Sequence, residues 1–452
     1  MAAKKTLNAR EASLLALTKI EEEKAFANLA LADVFAAHAL DERDKRLAAE
    51  ITYGVVTYRL TLDWLINQIT GRPVTKLDRP VLHALRIGFY QLLYLERLPA
   101  PAVVHSTVEL IKKGKKRALA PFVNGVLRGF LRKKSSLPWP DPQLDPLAYL
   151  TLRYAHPEWL VKRWLERFGR EETEKLLAAN NQVPPLAARV NTLRINRDAL
   201  LQRLAAENIR AFASEVVADG VIIQGGGNLT AVAAYREGLM QIQGQSAMLT
   251  SHILQPTAGA KVLDGCSAPG GKATHLAQLM ENSGEIIALD LYEHRLALVE
   301  ANARRLGVKI IQTACLDVRE IKPAHFGLFD HILLDVPCSG LGVIRRKPDI
   351  KWRRQEEDII SLAVLQREIL AAAVRVLKPG GTLVYSTCTN EPEETEEIIR
   401  DFLSHHSDFT AAELTPYLPV GWQEQTGAYG IQLYPHLQQV DGFFIAKLQK
   451  IS

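Results

Sequence analysis

Leu333-Leu334-Asp335-Val336-Pro337-Cys338-Ser339-Gly340 is the stretch from which the chain is best read. Phe329 and the run Ile332–Leu334 form a short apolar strand pattern, and the acid, proline and cysteine that follow stand where a parallel strand gives way to a loop. In open α/β sheets that edge is where ligands bind. A second β-rich run, Gly381-Thr382-Leu383-Val384-Tyr385-Ser386-Thr387-Cys388, also delivers a cysteine at its carboxyl end. Placed in one sheet, the two runs would turn two thiols and a carboxylate toward one crevice.

From about residue 240 strands and helices alternate as a doubly wound sheet requires. Strands are expected at Lys261–Asp264, Glu285–Leu289 and Lys309–Gln312, with helices at Gly271–Met280 and Glu293–Leu306. A long helix, Glu356–Leu377, separates the two cysteine-bearing strands, and Asp441–Leu448 would close an antiparallel edge. Between the first strand and helix lies Asp264-Gly265-Cys266-Ser267-Ala268-Pro269-Gly270-Gly271-Lys272. Its glycines let the backbone approach a ligand, and helix amides point at it. It is not a phosphate loop: counted from Gly265 the Gly-Lys pair comes one residue late, and Ala273 stands where a magnesium-binding Ser or Thr would be. A nucleoside cofactor without a phosphate chain is therefore favoured. Asp290, ending the next strand, is placed to accept from ribose hydroxyls, and Asp317, after the following one, from an adenine amino group. Each aspartate taken alone reads equally as a helix cap.

Upstream, residues 6 to about 135 read as all helix, with apolar residues such as Ala12, Leu14, Leu15, Leu17 and Ile20 at helical spacing. Residues 1–140 hold 23 Lys and Arg against 13 Asp and Glu, whereas the remainder holds 32 against 37. Such asymmetry points to a polyanion-binding front end. Its basic residues concentrate at Lys112, Lys113, Lys115, Lys116 and Arg117, then Arg128 and Arg132. Three prolines within Ser135–Pro142 mark a linker. A small α/β module follows, with a helix over Pro157–Phe168 whose Trp159, Leu160 and Trp164 face a core, a strand over Ala187–Leu193 and a helix over Arg197–Glu207. The expected division is 1–138, 139–235 and 236–452.

With 47% apolar and 23% charged residues the 452-residue chain has a globular composition. It shows no run of roughly 18 apolar residues and no secretory start, so a cytoplasmic, membrane-free location is expected. Four cysteines without a Cys-x-x-Cys pair, and twelve histidines without ligand spacing, suggest neither disulfides nor a metal. Cys266 and Cys315 read as ordinary small core residues as far as nucleophilic chemistry goes.

Carbon 5 of cytosine is too weak a nucleophile to accept a methyl group directly. A thiolate added at carbon 6 makes an enamine whose carbon 5 can attack an electrophilic methyl. The proton on carbon 5 must then leave and the thiolate be expelled, so two cysteines with divided tasks suit the chemistry. An acid such as Asp335, bonded to the ring nitrogen or exocyclic amine, would stabilise the adduct.

The words Asp335–Gly340, Ser386–Cys388, Cys266–Lys272, Arg345–Trp352 and Asp441–Phe444 resemble the motifs of the S-adenosylmethionine-dependent RNA 5-methylcytosine methyltransferases. Leu85–Leu95 and Phe122–Arg128 resemble those of NusB-like RNA-binding domains. The resemblance implies an all-α NusB-like bundle, the small α/β middle module of these enzymes, and a Rossmann-like methyltransferase domain. It implies Cys388 as nucleophile, Cys338 as the residue assisting product release, and Cys266, Ser267, Ala268, Pro269, Gly270, Gly271, Lys272, Asp290, Asp317 and Asp335 around S-adenosylmethionine. The implied substrate is a cytosine of small-subunit ribosomal RNA, nucleotide 967 on the same ground, and the implied state a monomer. Gly244 stands where the family often has an acid, and Thr395 where Asn is common. Two other readings compete: a non-catalytic RNA-binding or antitermination factor, suggested by the basic bundle, and a nicotinamide-dependent oxidoreductase, which would leave the cysteine pair unexplained. Spacing alone does not say which thiol attacks.

Overall fold

The computed structural model describes residues 6–225 and 229–451. The chain divides into two compact units, one of Met1–Asn181 with Lys347–Arg353, the other of Gln182–Arg346 with Arg354–Ser452.

The first unit is helical: α1 (Ala9–Glu22), α2 (Ala27–Ala37), α3 (Glu42–Thr57), α4 (Arg59–Thr70), α5 (Arg79–Tyr94), α6 (Ala100–Lys112), α7 (Ala120–Lys133), α8 (Pro146–Tyr154) and α9 (Glu158–Asn180). Asn8 caps α1 in a reciprocal box with Glu11, while α5, α6 and α7 have proline as their second residue, which supplies helical φ where no amide partner is needed. Every residue of α5 from Val81 to Gln91 is buried, so this helix forms the axis of the bundle. Close approach depends on glycine: a Cβ on Gly54 would enter the ring of Tyr90, and one on Gly88 would lie 2.7 Å from Leu127. The charge that α5 buries, Arg86, is held by Asp63 at 2.7 and 2.8 Å and by Glu21 at 3.2 Å.

Two features of this unit depart from the sequence reading. The helix expected over Pro157–Phe168 runs on to Asn180 through a break at Gly169, whose φ of 73° is open to glycine. The proline-rich Ser135–Pro142 packs here as well, the Trp139 ring lying 4.4 Å from that of Trp64.

The second unit carries two sheets. The smaller is antiparallel, with β1 (Leu186–Val190), β2 (Arg210–Ala213), β3 (Gly220–Gln224) and β4 (Met240–Ile242) in the order β2-β3-β1-β4, accompanied by helix Arg197–Ala206. The larger contains β5 (Lys261–Asp264), β6 (Glu285–Asp290), β7 (Ile311–Cys315), β8 (Phe329–Asp335), β9 (Leu377–Thr387), β10 (Phe409–Ala411), β11 (Thr426–Gly427), β12 (Gly430–Leu433) and β13 (Phe443–Lys450). Its order is β11-β12-β13-β9-β8-β5-β6-β7, with β10 on β13. Strands β5 to β9 run parallel and β13 antiparallel to β9; β13, expected to close the edge, lies inside the sheet, since β12 and β10 pair along its other side. The third strand begins at Ile311 instead of Lys309. The long helix ends at Ala373 rather than Leu377, because Val374–Val376 tighten into a 3-10 turn and Leu377 already pairs with Phe329.

Strand order reverses between β5 and β8, whose register places Asp264 opposite Leu333. This is the topological switch point, where the carboxyl ends of the strands diverge and leave room for a ligand.

Candidate active site at the carboxyl edge of the large sheet

Strands β8 and β9 bring the two cysteines together by register. Asp335 pairs with Ser386, and the Val336 amide donates to the Ser386 carbonyl at 3.1 Å. Beyond that pair both strands turn into loops, and Cys338 Sγ meets Cys388 Sγ at 3.2 Å. The Gly342 amide donates to the Cys388 carbonyl at 3.0 Å, and the Gly442 amide to the Gly342 carbonyl at 2.8 Å. A Cβ on Gly342 would collide with Gly442, so backbones approach here as only glycine allows. Arg354 donates to the carbonyls of Ser339 at 2.9 Å and Cys338 at 3.2 Å. The hydrogen bond to Cys388, then burial, push the Cys338 thiol well above its ordinary range.

Asp335 stands beside this pair, accepting from Lys272 Nζ at 2.5 Å and from Ser386 Oγ at 3.0 Å. Lys272 is further placed 5.1 Å from the centroid of the Phe443 ring. The glycine-containing turn that leads to Lys272 is tied down at several points. The Ser267 amide donates to the Leu289 carbonyl at 2.8 Å and the Gly270 amide to the Ser267 carbonyl at 2.7 Å. Helix Glu293–Leu306 grips it from the side, with Arg295 on the Ala268 carbonyl at 3.3 Å and Asn302 on the Pro269 carbonyl at 2.9 Å. Gly270 has φ +90°, and a Cβ there would lie 2.9 Å from Val299. Within the turn, burial and then the surrounding carboxylates push the Cys266 thiol up, as suits a passive core thiol.

Asp290 is buried at the end of β6 and accepts from the Tyr292 amide at 3.2 Å and from Arg295 at 3.3 Å. Asp317 caps the turn Val318–Glu320 and is clasped by Arg319 at 2.7–3.2 Å, which holds its carboxyl below the usual range.

Two acids the sequence reading did not assign belong to this edge. Asp264, ending β5, is 1% exposed, and neither of its oxygens has a hydrogen-bond partner among the described residues. Burial raises it to about 7, with the charge of Asp335 adding to that and Lys272 opposing it. Its position at the head of the turn word was the available signal. Glu394 is 0% exposed and accepts from residues flanking both cysteines. It gave no signal, because a run such as Glu391-Pro392-Glu393-Glu394 reads as solvated.

Away from the thiols, Asp219, His252 and His275 converge although sequence spacing keeps them apart. The carboxylate bonds His252 at 2.7 Å, His275 at 2.8 Å and Gln278 at 3.0 Å. Burial and the nearby Arg189 hold His275 at about 3, hence neutral at pH 7.

In the first unit, Lys112, Lys113, Lys115, Lys116, Arg117, Arg128 and Arg132 are all exposed. Lys112 pairs with Glu109 at 2.7 Å, Lys113 with Glu11 at 2.9 Å and Lys116 with Asp78 at 2.9 Å. Lys112 and Arg128 border a cavity of about 630 Å³ between α6 and α7, whose walls include Val104, His105 and Asn124. No described helix is long and apolar enough to cross a membrane.

Residues 251–449 match the family described as 16S rRNA methyltransferase RsmB/F, residues 7–132 the NusB family, and residues 156–230 the ferredoxin-like domain of RsmF/B-like methyltransferases. The small four-stranded sheet and the large mixed sheet are thus the middle and Rossmann-like parts that follow an all-α NusB bundle. A probable ribosomal RNA small subunit methyltransferase B of Bacillus subtilis is 37% identical, covering 99% of this chain and 99% of its own. The ribosomal RNA small subunit methyltransferase B of Salmonella dublin is 38% identical over 90% of this chain and 91% of its own. Among solved structures, PH0851 superposes with a TM-score of 0.81 at 28% identity, covering 99% of this chain and all of that one. NSun6 from Pyrococcus horikoshii, solved with SFG, gives 0.58 at 28% identity over 66% of this chain and 98% of that one. Agreement at this identity along nearly the whole length, with a cysteine pair and glycine-containing turn at the switch point of the sheet, leaves one conclusion: the chain belongs to the ribosomal RNA small subunit methyltransferase B family.

Proposed function

We propose that this protein methylates carbon 5 of a cytosine in small-subunit (16S) ribosomal RNA, nucleotide 967 by family resemblance, through a covalent adduct between Cys388 and carbon 6. The observation that carries the reading is the pair of thiols 3.2 Å apart, beside Asp335, at the ligand edge of the sheet. S-adenosylmethionine, when bound, supplies the electrophilic methyl group. The residues fit it: Asp264 offers a buried carboxyl without a hydrogen-bond partner among the described residues, and Cys266–Lys272 present backbone that only glycine at Gly270 permits. Asp290 is at hand for ribose hydroxyls, and Asp317 for an adenine amine only in so far as Arg319 leaves an oxygen available.

In this mechanism Cys388 loses its proton and bonds to carbon 6, which moves electron density to carbon 5. Asp335, already bridged to Lys272, accepts from the exocyclic amine and relays the proton given up by Cys388 to ring nitrogen 3, which neutralises the charge that builds there. Carbon 5 takes the methyl group and then gives its proton to water at this edge, as the carbon–sulfur bond breaks to return Cys388. Cys338 assists that last stage, its sulfur being in hydrogen-bond reach of the departing one. The target base must leave its stack to reach this edge, and the exposed basic residues of the bundle, Lys112 to Arg117 with Arg128 and Arg132, hold the surrounding RNA phosphates. The division 1–138, 139–235 and 236–452, and action as a monomer, go with this reading.

The test is a pair of substitutions assayed with labelled methyl donor and unmodified small-subunit RNA. Cys388→Ala should abolish transfer without adduct, and Cys338→Ala should accumulate RNA covalently attached to protein. A stable adduct in Cys388→Ala instead would invert the two roles; activity in both would end the thiol mechanism.

A further inference from the structure

Glu394 is fully buried, yet its carboxylate accepts four hydrogen bonds, three of them from residues next to the cysteines and the fourth from Gln366. The Ser339 amide donates to Oε1 at 2.8 Å and the Ser339 hydroxyl to Oε2 at 2.5 Å. Thr389 Oγ1 donates to Oε2 at 3.0 Å, and Gln366 Nε2 to Oε1 at 3.0 Å. Ser339 directly follows Cys338, and Thr389 directly follows Cys388. Gln366 also donates to the Pro337 carbonyl at 2.9 Å, on the other side of Cys338. The Ser339 and Thr389 hydroxyls lie 2.7 Å from each other. One carboxylate therefore joins the two loops immediately behind the thiols, at a point where neither loop is in the β-ladder.

A buried carboxylate is a poor means of gaining stability alone, since apolar residues of the same volume commonly do as well. It does fix geometry: charge-assisted bonds are short and directional, and each of the four here has its own donor. Resting on the reading that these thiols perform the chemistry, we propose that Glu394 is a positioning residue that holds Cys338 and Cys388 within reach of one pyrimidine ring. It touches neither sulfur in the hydrogen-bonded set and acts through Ser339 and Thr389.

The full-length protein carries the test, with dibromobimane as the probe of thiol placement. This reagent loses both bromides only when two thiols close to each other displace them, and the Cys338–Cys388 bridged peptide is quantified by mass spectrometry. In Glu394→Ala the bridging rate should fall about tenfold and kcat for methyl transfer about 100-fold, the loss typical of a misplacement of about 1 Å. KM for the methyl donor and for RNA should stay within about threefold. Glu394→Gln keeps volume and most of the bonds, so it should recover kcat to within about tenfold of the parent; this isosteric variant also carries the test if Glu394→Ala fails to fold. Unchanged bridging in both variants overturns the proposal whatever the activity. Reduced bridging with unchanged kcat also overturns it, and if Cys388→Ala is active in the same assay, the failure belongs to the thiol mechanism itself.

Discussion

Asp264→Asn should make the protein less sensitive to pH between about 4 and 7. Asp264 has no hydrogen-bond partner for either oxygen among the described residues, and burial moves it from the ordinary 3.8 to about 7. Because the folded state holds the proton more tightly than the unfolded chain, the contribution of this group is full below 3.8 and is lost as pH rises toward 7. About three pH units at ~1.4 kcal/mol each give a ceiling of about 4 kcal/mol of destabilisation at neutral pH, and local relaxation makes about 2–4 kcal/mol the expected range. An asparagine of the same shape removes that charge. Its own unpaired amide adds a cost of about 1–3 kcal/mol that does not vary with pH. Calorimetric unfolding of parent and variant at pH 4.5, 6 and 8 separates the two terms. The variant should gain on the parent steadily as pH rises, by about 2–4 kcal/mol in total. His275 gives a slope of the opposite sign, since a histidine held at about 3 makes stability fall as pH drops below the unfolded value of 6.5, but this slope is common to both proteins and cancels. A difference between variant and parent that is the same at all three pH values would refute the assignment of a buried, uncompensated carboxyl at this position.

Other outcomes follow from the same geometry. Asp63→Ala leaves Arg86 buried with only Glu21 at 3.2 Å and should cost the helical unit about 3–5 kcal/mol, read from urea denaturation, whereas Arg86→Met in combination should recover much of it. Trp352→Ala should destabilise that unit by about 2–4 kcal/mol, because the indole donates to the Val56 carbonyl at 2.7 Å and lies under Arg59 at 4.5 Å; an unchanged denaturation midpoint would contradict this. Replacing Lys115, Lys116 and Arg117 by alanine should weaken RNA binding and reduce the slope of log affinity against log salt by about 2–3, and an unaltered slope would remove this patch from the RNA footprint.

Much of the edge carrying the thiols could be read from the chain. An apolar run followed by Asp335 and a proline announces a buried parallel strand and its exit, and two such exits ending in cysteine narrow the chemistry. What the run cannot announce is register: that Asp335 faces Ser386, and hence that the sulfurs meet, depends on pairing across fifty positions of chain. Asp317 shows the ambiguity of short acids, since the residue expected near an adenine is also a cap clasped by Arg319. Glu394 was illegible because burial of a carboxylate depends on donors from two distant segments, at Ser339 and Gln366, that join the nearby Thr389. The same holds for Asp219, His252 and His275, which only the packed fold assembles. Boundaries failed where local pattern was compatible with two states, as at Val374–Leu377, apolar enough for helix or strand and decided by pairing with Phe329.

Lys347–Arg353 lies far along the chain, yet Asp349 accepts from the Ala27 amide at 3.3 Å and Trp352 reaches Val56, so this stretch is a piece of the helical unit. During synthesis from the amino terminus, α1 to α9 therefore emerge well before their last packing element does. Until that stretch has been made, the Val56 carbonyl and the Arg59 guanidinium lack the indole they meet in the finished unit, and the nascent bundle stays incomplete for want of a segment that arrives with the catalytic half.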